Sequence, residues 1–293
     1  MGLLVGYRSE VDRRRRLVGS SSGHRELTVL VPLKDSWSLV FGVSSGMGQA
    51  TARALAAEGG NVIGVHFDTS EGREAAEKLA AELHERGVAA HFFNRNVAAS
   101  ATRADLIPRI AELTGGAGLR VVLHSVAFGS LLPFVPTAEA TGTITAKQMA
   151  MTLDVMAHSL VYWTQDLLAA GLLRPGAKIY ALTSAGSSLV IPNYGAVSAA
   201  KSALESHVRQ LAVELAQRGV AVNALRPGTT ITPAFRKIPG STQFDDKCLA
   251  RNPHRRLTRP EDVGEAIVML SASDSSWVTG NVIGVDGGEL IGT

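Results

Sequence analysis

Residues 38–48 constrain the fold more than any other stretch of the chain. Ser38-Leu-Val-Phe41 is a short apolar run with the length of a buried strand, and it passes straight into Gly42-Val-Ser-Ser-Gly46-Met-Gly48. Around and beyond the last glycine, Met47, Ala50, Ala54, Leu55 and Ala57 recur at helical spacing. Strand, glycine turn and helix therefore follow one another with no linker. Glycine at such a turn permits positive φ and lets the backbone approach a ligand closely. The N–H groups at the helix start have no partner inside the helix and attract a pyrophosphate. The spacing is Gly-x3-Gly-x-Gly and not the commoner Gly-x-Gly-x-x-Gly.

The rest of the chain repeats this alternation. Asn61-Val-Ile-Gly-Val-His-Phe67-Asp68 reads as a second strand. Arg73 to Arg86 carries Ala76, Leu79, Ala80 and Leu83 on one face and the pairs Glu74/Lys78 and Glu82/Arg86 on the other, the pattern of an exposed crossover helix. His91 to Val97 reads as a third strand, Arg103 to Leu113 as a helix broken or begun near Pro108, and Leu119 to His124 as a fourth strand. Thr145 and Gln148 form a capping-box pattern that opens a long helix to about Ala170. That helix is apolar nearly all round, which points to a subunit contact beyond the sheet. Lys178 to Thr183 and Val220 to Gly228 supply two more strands, with an apolar-striped helix through Lys201 between them. Residues 229–256 show no period, as a lid or binding loop would. A helix from Pro260 to about Ser271 and a last strand in Asn281 to Gly288 complete the pattern. The expectation is an α/β fold: one domain, residues 31–293, built on a doubly wound parallel seven-stranded sheet with right-handed crossovers and both faces covered.

Composition excludes several classes. With 293 residues, 45% of them hydrophobic and 19% charged, the chain can bury a full core. The net charge of +3 is spread over its length and argues against a nucleic-acid partner. The lone Cys248 rules out an internal disulfide and a Cys-based zinc site, so a reducing compartment, the cytoplasm, is expected. No stretch approaches the roughly 18 consecutive apolar residues of a membrane span. Residues 1–30 differ: the run Arg13 to Arg16, the run Ser20 to Ser22 and the absence of apolar spacing read as a flexible basic N-terminal extension. Glu10 and Asp12 interrupt its basic part, which argues against a targeting segment.

The candidate chemistry lies in Thr183-Ser184 and in Tyr194-Gly-Ala-Val-Ser-Ala-Ala-Lys201, a tyrosine and a lysine two helical turns apart with a serine upstream. Asp68 stands twenty residues after Gly48, where a carboxylate could accept both hydroxyls of an adenosine ribose and favour NADH. Aligning the strand from Gly59 puts His66 at that position instead, leaving NADH or NADPH open and Asp68 readable as a plain turn residue. His124 and His158 read as satisfied, partly buried histidines. Ser184 could orient water or substrate, or could cap local backbone.

These pieces together resemble the short-chain dehydrogenase/reductase family over nearly all of residues 31–293. The match rests on Gly42-x3-Gly46-x-Gly48, on Asn223-Ala-Leu-Arg-Pro227-Gly228 with Thr232, on Asn252-Pro-x3-Leu257 and Pro260-Glu-Asp-Val263, and on Thr279-Gly280 and Val285-Asp-Gly-Gly288. The resemblance implies a Rossmann domain, a homotetramer or homodimer, with NADH or NADPH along the strand carboxyl ends. It places cofactor contacts at Gly42, Ser44, Ser45, Gly46, Met47, Gly48, Phe67, Asp68, Asn96, Val97, Ser125, Val126, Ala127, Lys201, Pro227, Gly228, Thr230 and Thr232.

Departures from the common pattern narrow it further. The family's usual tyrosine position, four before Lys201, holds Val197, and Tyr194 stands seven before instead. The fourth strand ends in His124-Ser-Val-Ala-Phe128 instead of Asn-Asn-Ala-Gly. Both features resemble the divergent branch containing the bacterial enoyl-[acyl-carrier-protein] reductases of fatty-acid synthesis, of the type that keeps a serine, here Ser184, where others place a second tyrosine. Phe41 replaces the usual threonine, and Asn96 the aspartate that commonly binds adenine. Implied are Tyr194, Lys201 and Ser184 as catalytic residues and an acyl thioester, on acyl carrier protein or coenzyme A, as substrate. Arg236, Lys237, Arg251, Arg255 and Arg256 could meet an acidic carrier or a coenzyme A phosphate, or form a solvated rim. Two alternatives stand beside this: a carbonyl or alcohol oxidoreductase using Tyr194 in an altered geometry, and a dinucleotide-binding regulator without turnover.

The offset has a geometric meaning. Four and seven residues both return to nearly the same helix face, but a seven-residue offset spans roughly 10 Å of axis against roughly 6 Å for four. Tyr194 is therefore expected on the loop just ahead of the helix, its hydroxyl moved outward.

Overall fold

The computed structural model describes residues 30–136, 142–240 and 244–292, so the N-terminal extension up to residue 29 lies outside the described residues. Seven strands form one parallel sheet: β1 (Trp37–Phe41), β2 (Asn61–His66), β3 (Ala90–Asn94), β4 (Leu119–His124), β5 (Leu173–Leu182), β6 (Ala221–Pro227) and β7 (Val282–Val285). Their order is β3-β2-β1-β4-β5-β6-β7. The order reverses between β1 and β4, and in open α/β sheets the crevice outside the carboxyl ends of such a switch point is where ligands bind.

Among the described residues eight α-helices connect the strands: α1 (Gly46–Ala57), α2 (Ser70–Glu85), α3 (Ser100–Leu113), α4 (Ala146–Leu153), α5 (Ser159–Ala169), α6 (Gly195–Leu215), α7 (Phe244–Arg251) and α8 (Pro260–Ser271). Successive strand residues point to opposite faces, and β1 shows the result. Leu39 and Phe41 join a core under α3, α5 and α6, whereas Val40 joins a second core under α1, α2 and α8. Both faces are thereby sealed, as a parallel sheet requires.

Several boundaries differ from expectation for physical reasons. Helix α2 opens at Ser70, because its polar first turn carries no apolar stripe to mark it. Pro108 lies inside α3, exposed to solvent, where a missing N–H is tolerated. The capping box forms, with Gln148 N–H donating to Thr145 Oγ1 and Thr145 N–H to Gln148 Oε1, but a π-helical turn at Asp154–His158 divides the long helix into α4 and α5. Strand β3 stops at Asn94, leaving Asn96 and Val97 in the following loop. Residues 229–256 are not structureless, since they hold a 3-10 turn at Phe235–Lys237 and helix α7. Helix α6 begins at Gly195, so Tyr194 does lie just ahead of it. Among the described residues no helix is long and apolar enough to cross a membrane.

Candidate active site

The β1–α1 turn is shaped by backbone approaching backbone. Gly42 has φ 81°, and any side chain there would overlap the Ser125 carbonyl at the end of β4. A side chain at Gly48 would overlap the carbonyl of Gly42 itself. These two glycines let α1 start directly beneath the turn, at the switch point. Gly46, with φ 53°, faces the loop after β6, where a Cβ would come within 3.3 Å of Thr232 Cγ2. Ser45 occupies the N-cap, yet no side chain caps the first turn and no acid lies in it. The first N–H groups of α1 are thus left as donors for an anion, and this cradle fits the pyrophosphate of NADH or NADPH. Ser44 and Ser45 also brace the turn, their carbonyls accepting from Gln49 Nε2 and Gln49 N–H.

At the far end of β2 the two readings of the acidic position merge. His66 Nδ1 lies 2.9 Å from Asp68 Oδ2, and Asn94 clamps the main chain of Asp68 in both directions at 3.0 Å. Asp68 is no plain turn residue: it is pinned and paired, with its side chain 33% exposed. Phe67 between them is 71% exposed. Asn96, in the loop after β3, accepts the N–H of Ala98 through its Oδ1 in a local turn. The Val97 carbonyl likewise accepts from Trp163 Nε1.

Tyr194, Ser184 and Lys201 converge at the carboxyl end of β5. Ser184 opens a 3-10 turn, and its hydroxyl accepts the Gly186 N–H at 3.1 Å. The ring of Tyr194 packs on Gly186, where a Cβ would sit 2.6 Å from Cε1. The residue is 8% exposed. Burial raises its phenol pKa, with the Ser184 hydroxyl opposing, so the group stays protonated at neutral pH as an acid must. Asn193 at φ 59° turns the chain into α6.

Two turns on, Lys201 is 5% exposed. Its ammonium donates to Leu182 O at 2.6 Å and, at 3.5 Å, to Val126 O. Burial lowers its pKa to about 8, with Glu205 opposing. Glu205 itself accepts the Thr183 hydroxyl at 2.5 Å. Val197 is buried one turn before Lys201, against Gly129, where a Cβ would lie 2.9 Å from Val197 Cγ2 and 3.0 Å from Met156 Sδ.

His124 is not the partly buried, satisfied histidine expected. It is wholly buried, and burial, reinforced by Lys201, lowers its pKa to about 3. Ser159 donates to Val155 O within the π-helical turn, so its oxygen accepts from His124 Nε2 at 2.8 Å, and Nδ1 has no partner among the described residues. His124 is a neutral imidazole and no acid. His158 is satisfied, by His207 at 3.0 Å.

The loop after β6 closes the crevice. Thr230 donates to Gly228 O at 2.8 Å, and the Thr232 hydroxyl accepts from Phe235 N–H at 3.1 Å while its methyl faces Gly46. The glycine turn therefore meets Ser125 through Gly42 and the loop after β6 through Gly46 and Thr232. Of the basic residues nearby, Arg256 is paired to Asp262 at 2.6 and 2.8 Å and Arg255 to Ala250 O, while Arg236, Lys237 and Arg251 make no ion pair among the described residues. Sequence reasoning missed Ser159, Asn94 and Glu205. Only Glu205 had a local signal, its spacing of four from Lys201.

A family model described as Enoyl-(Acyl carrier protein) reductase matches residues 42–289. The cis-4-hydroxycyclohexanecarboxylate dehydrogenase of Sinomonas cyclohexanicum is 32% identical over 251 residues, covering 86% of this chain and 95% of its own. A crystal structure of an enoyl-[acyl-carrier-protein] reductase (NADH) from Aquifex aeolicus is similar with a TM-score of 0.75 at 25% identity, covering 88% of this chain and 98% of that one. A short-chain dehydrogenase from Burkholderia cenocepacia in complex with NADP has the same fold, with a TM-score of 0.75 at 23% identity, covering 88% and 99%.

Proposed function

The chain belongs to the short-chain dehydrogenase/reductase family, and from that premise we propose that this oxidoreductase uses NADH or NADPH to reduce the carbon–carbon double bond of an enoyl thioester. The observation that carries the reading is the placement of Tyr194 ahead of α6, two turns from Lys201, with Val197 buried at the intervening turn. In ketone reduction the acid must meet an oxygen one bond from the carbon that takes the hydride. In enoyl thioester reduction the charge develops on the thioester oxygen three bonds away, so the acid must stand farther out.

When bound, the nicotinamide supplies a hydride to the β-carbon. Tyr194 donates its hydrogen bond to the thioester oxygen as enolate charge forms there, and a proton from solvent on the α-carbon completes the reduction. Lys201 holds the nicotinamide ribose and adds positive potential, and Ser184 orients the Tyr194 hydroxyl. The α1 N-terminus and the pinned Asp68–His66 pair hold the pyrophosphate and adenosine ends. On this reading the substrate arrives on acyl carrier protein or coenzyme A, the reaction belongs to fatty-acid synthesis in the cytoplasm, and the enzyme is a homotetramer or homodimer.

A second reading, oxidation of alcohols or reduction of ketones, is favoured by the named activity of the 32% identical relative. NADH and NADPH oxidation with crotonyl thioesters, set against a panel of cyclic and open-chain ketones, separates the two. Turnover of ketones alone would overturn the enoyl reading, and tight nucleotide binding with no turnover of either class would make the chain a regulator.

A further inference from the structure

Residues 286–292 pack against the loop after β6. They follow β7, and there Glu289 is 6% exposed, yet no Lys, Arg or His pairs with it among the described residues. Both of its oxygens accept from Thr229, with the Cys248 thiol alongside. Oε2 accepts the Thr229 backbone N–H and Oε1 the Thr229 hydroxyl, each at 2.8 Å. The carboxylate accepts from both groups at once, and it fixes the Thr229 hydroxyl as a donor. Burying an acid without a cation is costly, and a plain loop brace does not need one.

Thr229 is fixed from its other side as well, since its carbonyl accepts the Thr258 N–H at 3.1 Å. The C-terminal turn is anchored in its own right, by Asn252 Nδ2 donating to Asp286 O at 2.9 Å. Thr229 stands between Gly228 and Thr230, in the loop whose Thr232 lies against Gly46. Its orientation therefore sets how that loop faces the glycine turn across the crevice.

We propose that Glu289 is a positioning residue for the dinucleotide: from the C-terminal turn it locks Thr229 and presets residues 228–232 to close on the bound NADH or NADPH. This rests on the reading that the crevice binds that cofactor, but not on which bond is reduced. The test is equilibrium binding of NADH and NADPH to the full chain without substrate, read by nucleotide fluorescence, beside the thermal midpoint. Glu289→Ala, which leaves both donors of Thr229 unmet, should weaken nucleotide binding about tenfold, and Thr229→Val, which loses only the hydroxyl, about threefold with a midpoint near the native one. A merely structural role would lower the midpoints and leave Kd unchanged, and a Kd within about twofold of native in Glu289→Ala overturns the proposal. If Glu289→Ala does not fold, the same criterion applied to Thr229→Val decides. A native chain that binds nucleotide but leaves crotonyl thioesters untouched refutes the substrate and not Glu289, whereas a native chain that binds no nucleotide overturns both.

Discussion

The pH dependence of stability should change when Lys201 is replaced by methionine. The ammonium is buried and held by Leu182 O at 2.6 Å, and burial sets its pKa at about 8 against 10.5. In that interval the unfolded chain still carries a proton that the folded chain has lost, so raising the pH favours the folded state. Below pH 8 the full cost of the buried charge applies, about 3 kcal/mol for a shift of this size. By pH 9.5 less than half remains, and the native chain gains about 2 kcal/mol relative to its stability at pH 7. In Lys201→Met that gain is absent. Lys178, lowered to about 8, and Tyr180, raised to about 12, titrate in both proteins and cancel from the difference. Methionine also leaves the Leu182 carbonyl without its ammonium donor, at about 1–3 kcal/mol, but that cost is the same at both pH values. Urea unfolding without nucleotide, at pH 7 and pH 9.5, measures the double difference. Agreement of the two proteins within about 0.5 kcal/mol would refute a buried, charged Lys201 and remove its positive potential from the mechanism.

Three further outcomes are expected. Tyr194→Phe keeps the ring on Gly186 and leaves nucleotide affinity intact, while crotonyl-thioester turnover falls about 10²- to 10⁴-fold; turnover near native would show that the phenol takes no part. Ser184→Ala removes the hydroxyl that opposes the burial of Tyr194, so the alkaline limb of kcat/KM, where the protonated phenol is lost, moves to higher pH, and a limb that stays or moves down contradicts the pairing. Gly48→Ala drives a Cβ into the Gly42 carbonyl, and fluorescence titration should find nucleotide binding lost; an unchanged Kd would mean that the turn can relax.

What the sequence shows of this molecule is what repeats locally. Helix α8 opens with Pro260 at its first turn and ends at Ser271 as read, and β4 ends at His124 as read, because proline, apolar period and glycine breaks all act within a few residues. Pro108 misled for the same reason, since a proline signals a boundary unless the helix face it occupies is known, and exposure is a tertiary property. The His66–Asp68 pair was in reach, because residues two apart on a strand share a face, but the choice between them hid the pairing. The π-helical turn had no legible signal: it adds a residue to one helical turn and exists to bring Ser159 to His124 from a distant strand. Glu289 was equally hidden, its partner Thr229 lying sixty positions away with no periodicity to join them.

One turn of α6 links these properties. Positions 197, 201, 204 and 208 form a single buried stripe, and three of the four are apolar. With Val197 sealed against Gly129 and Met156, the turn that could have carried an acid serves as core. The same packing keeps water from Lys201, and the drop of its pKa to about 8 is the electrostatic consequence. On the proposed reading the acid stands beyond the helix end, where Asn193 turns the chain and Gly186 leaves room for the Tyr194 ring. Tyr194 and the desolvated Lys201 thus lie on either side of one buried apolar residue, Val197. On the proposed reading, a charge that is costly to bury becomes useful once negative charge develops beside it, because in the same low-dielectric surroundings the attraction is strongest.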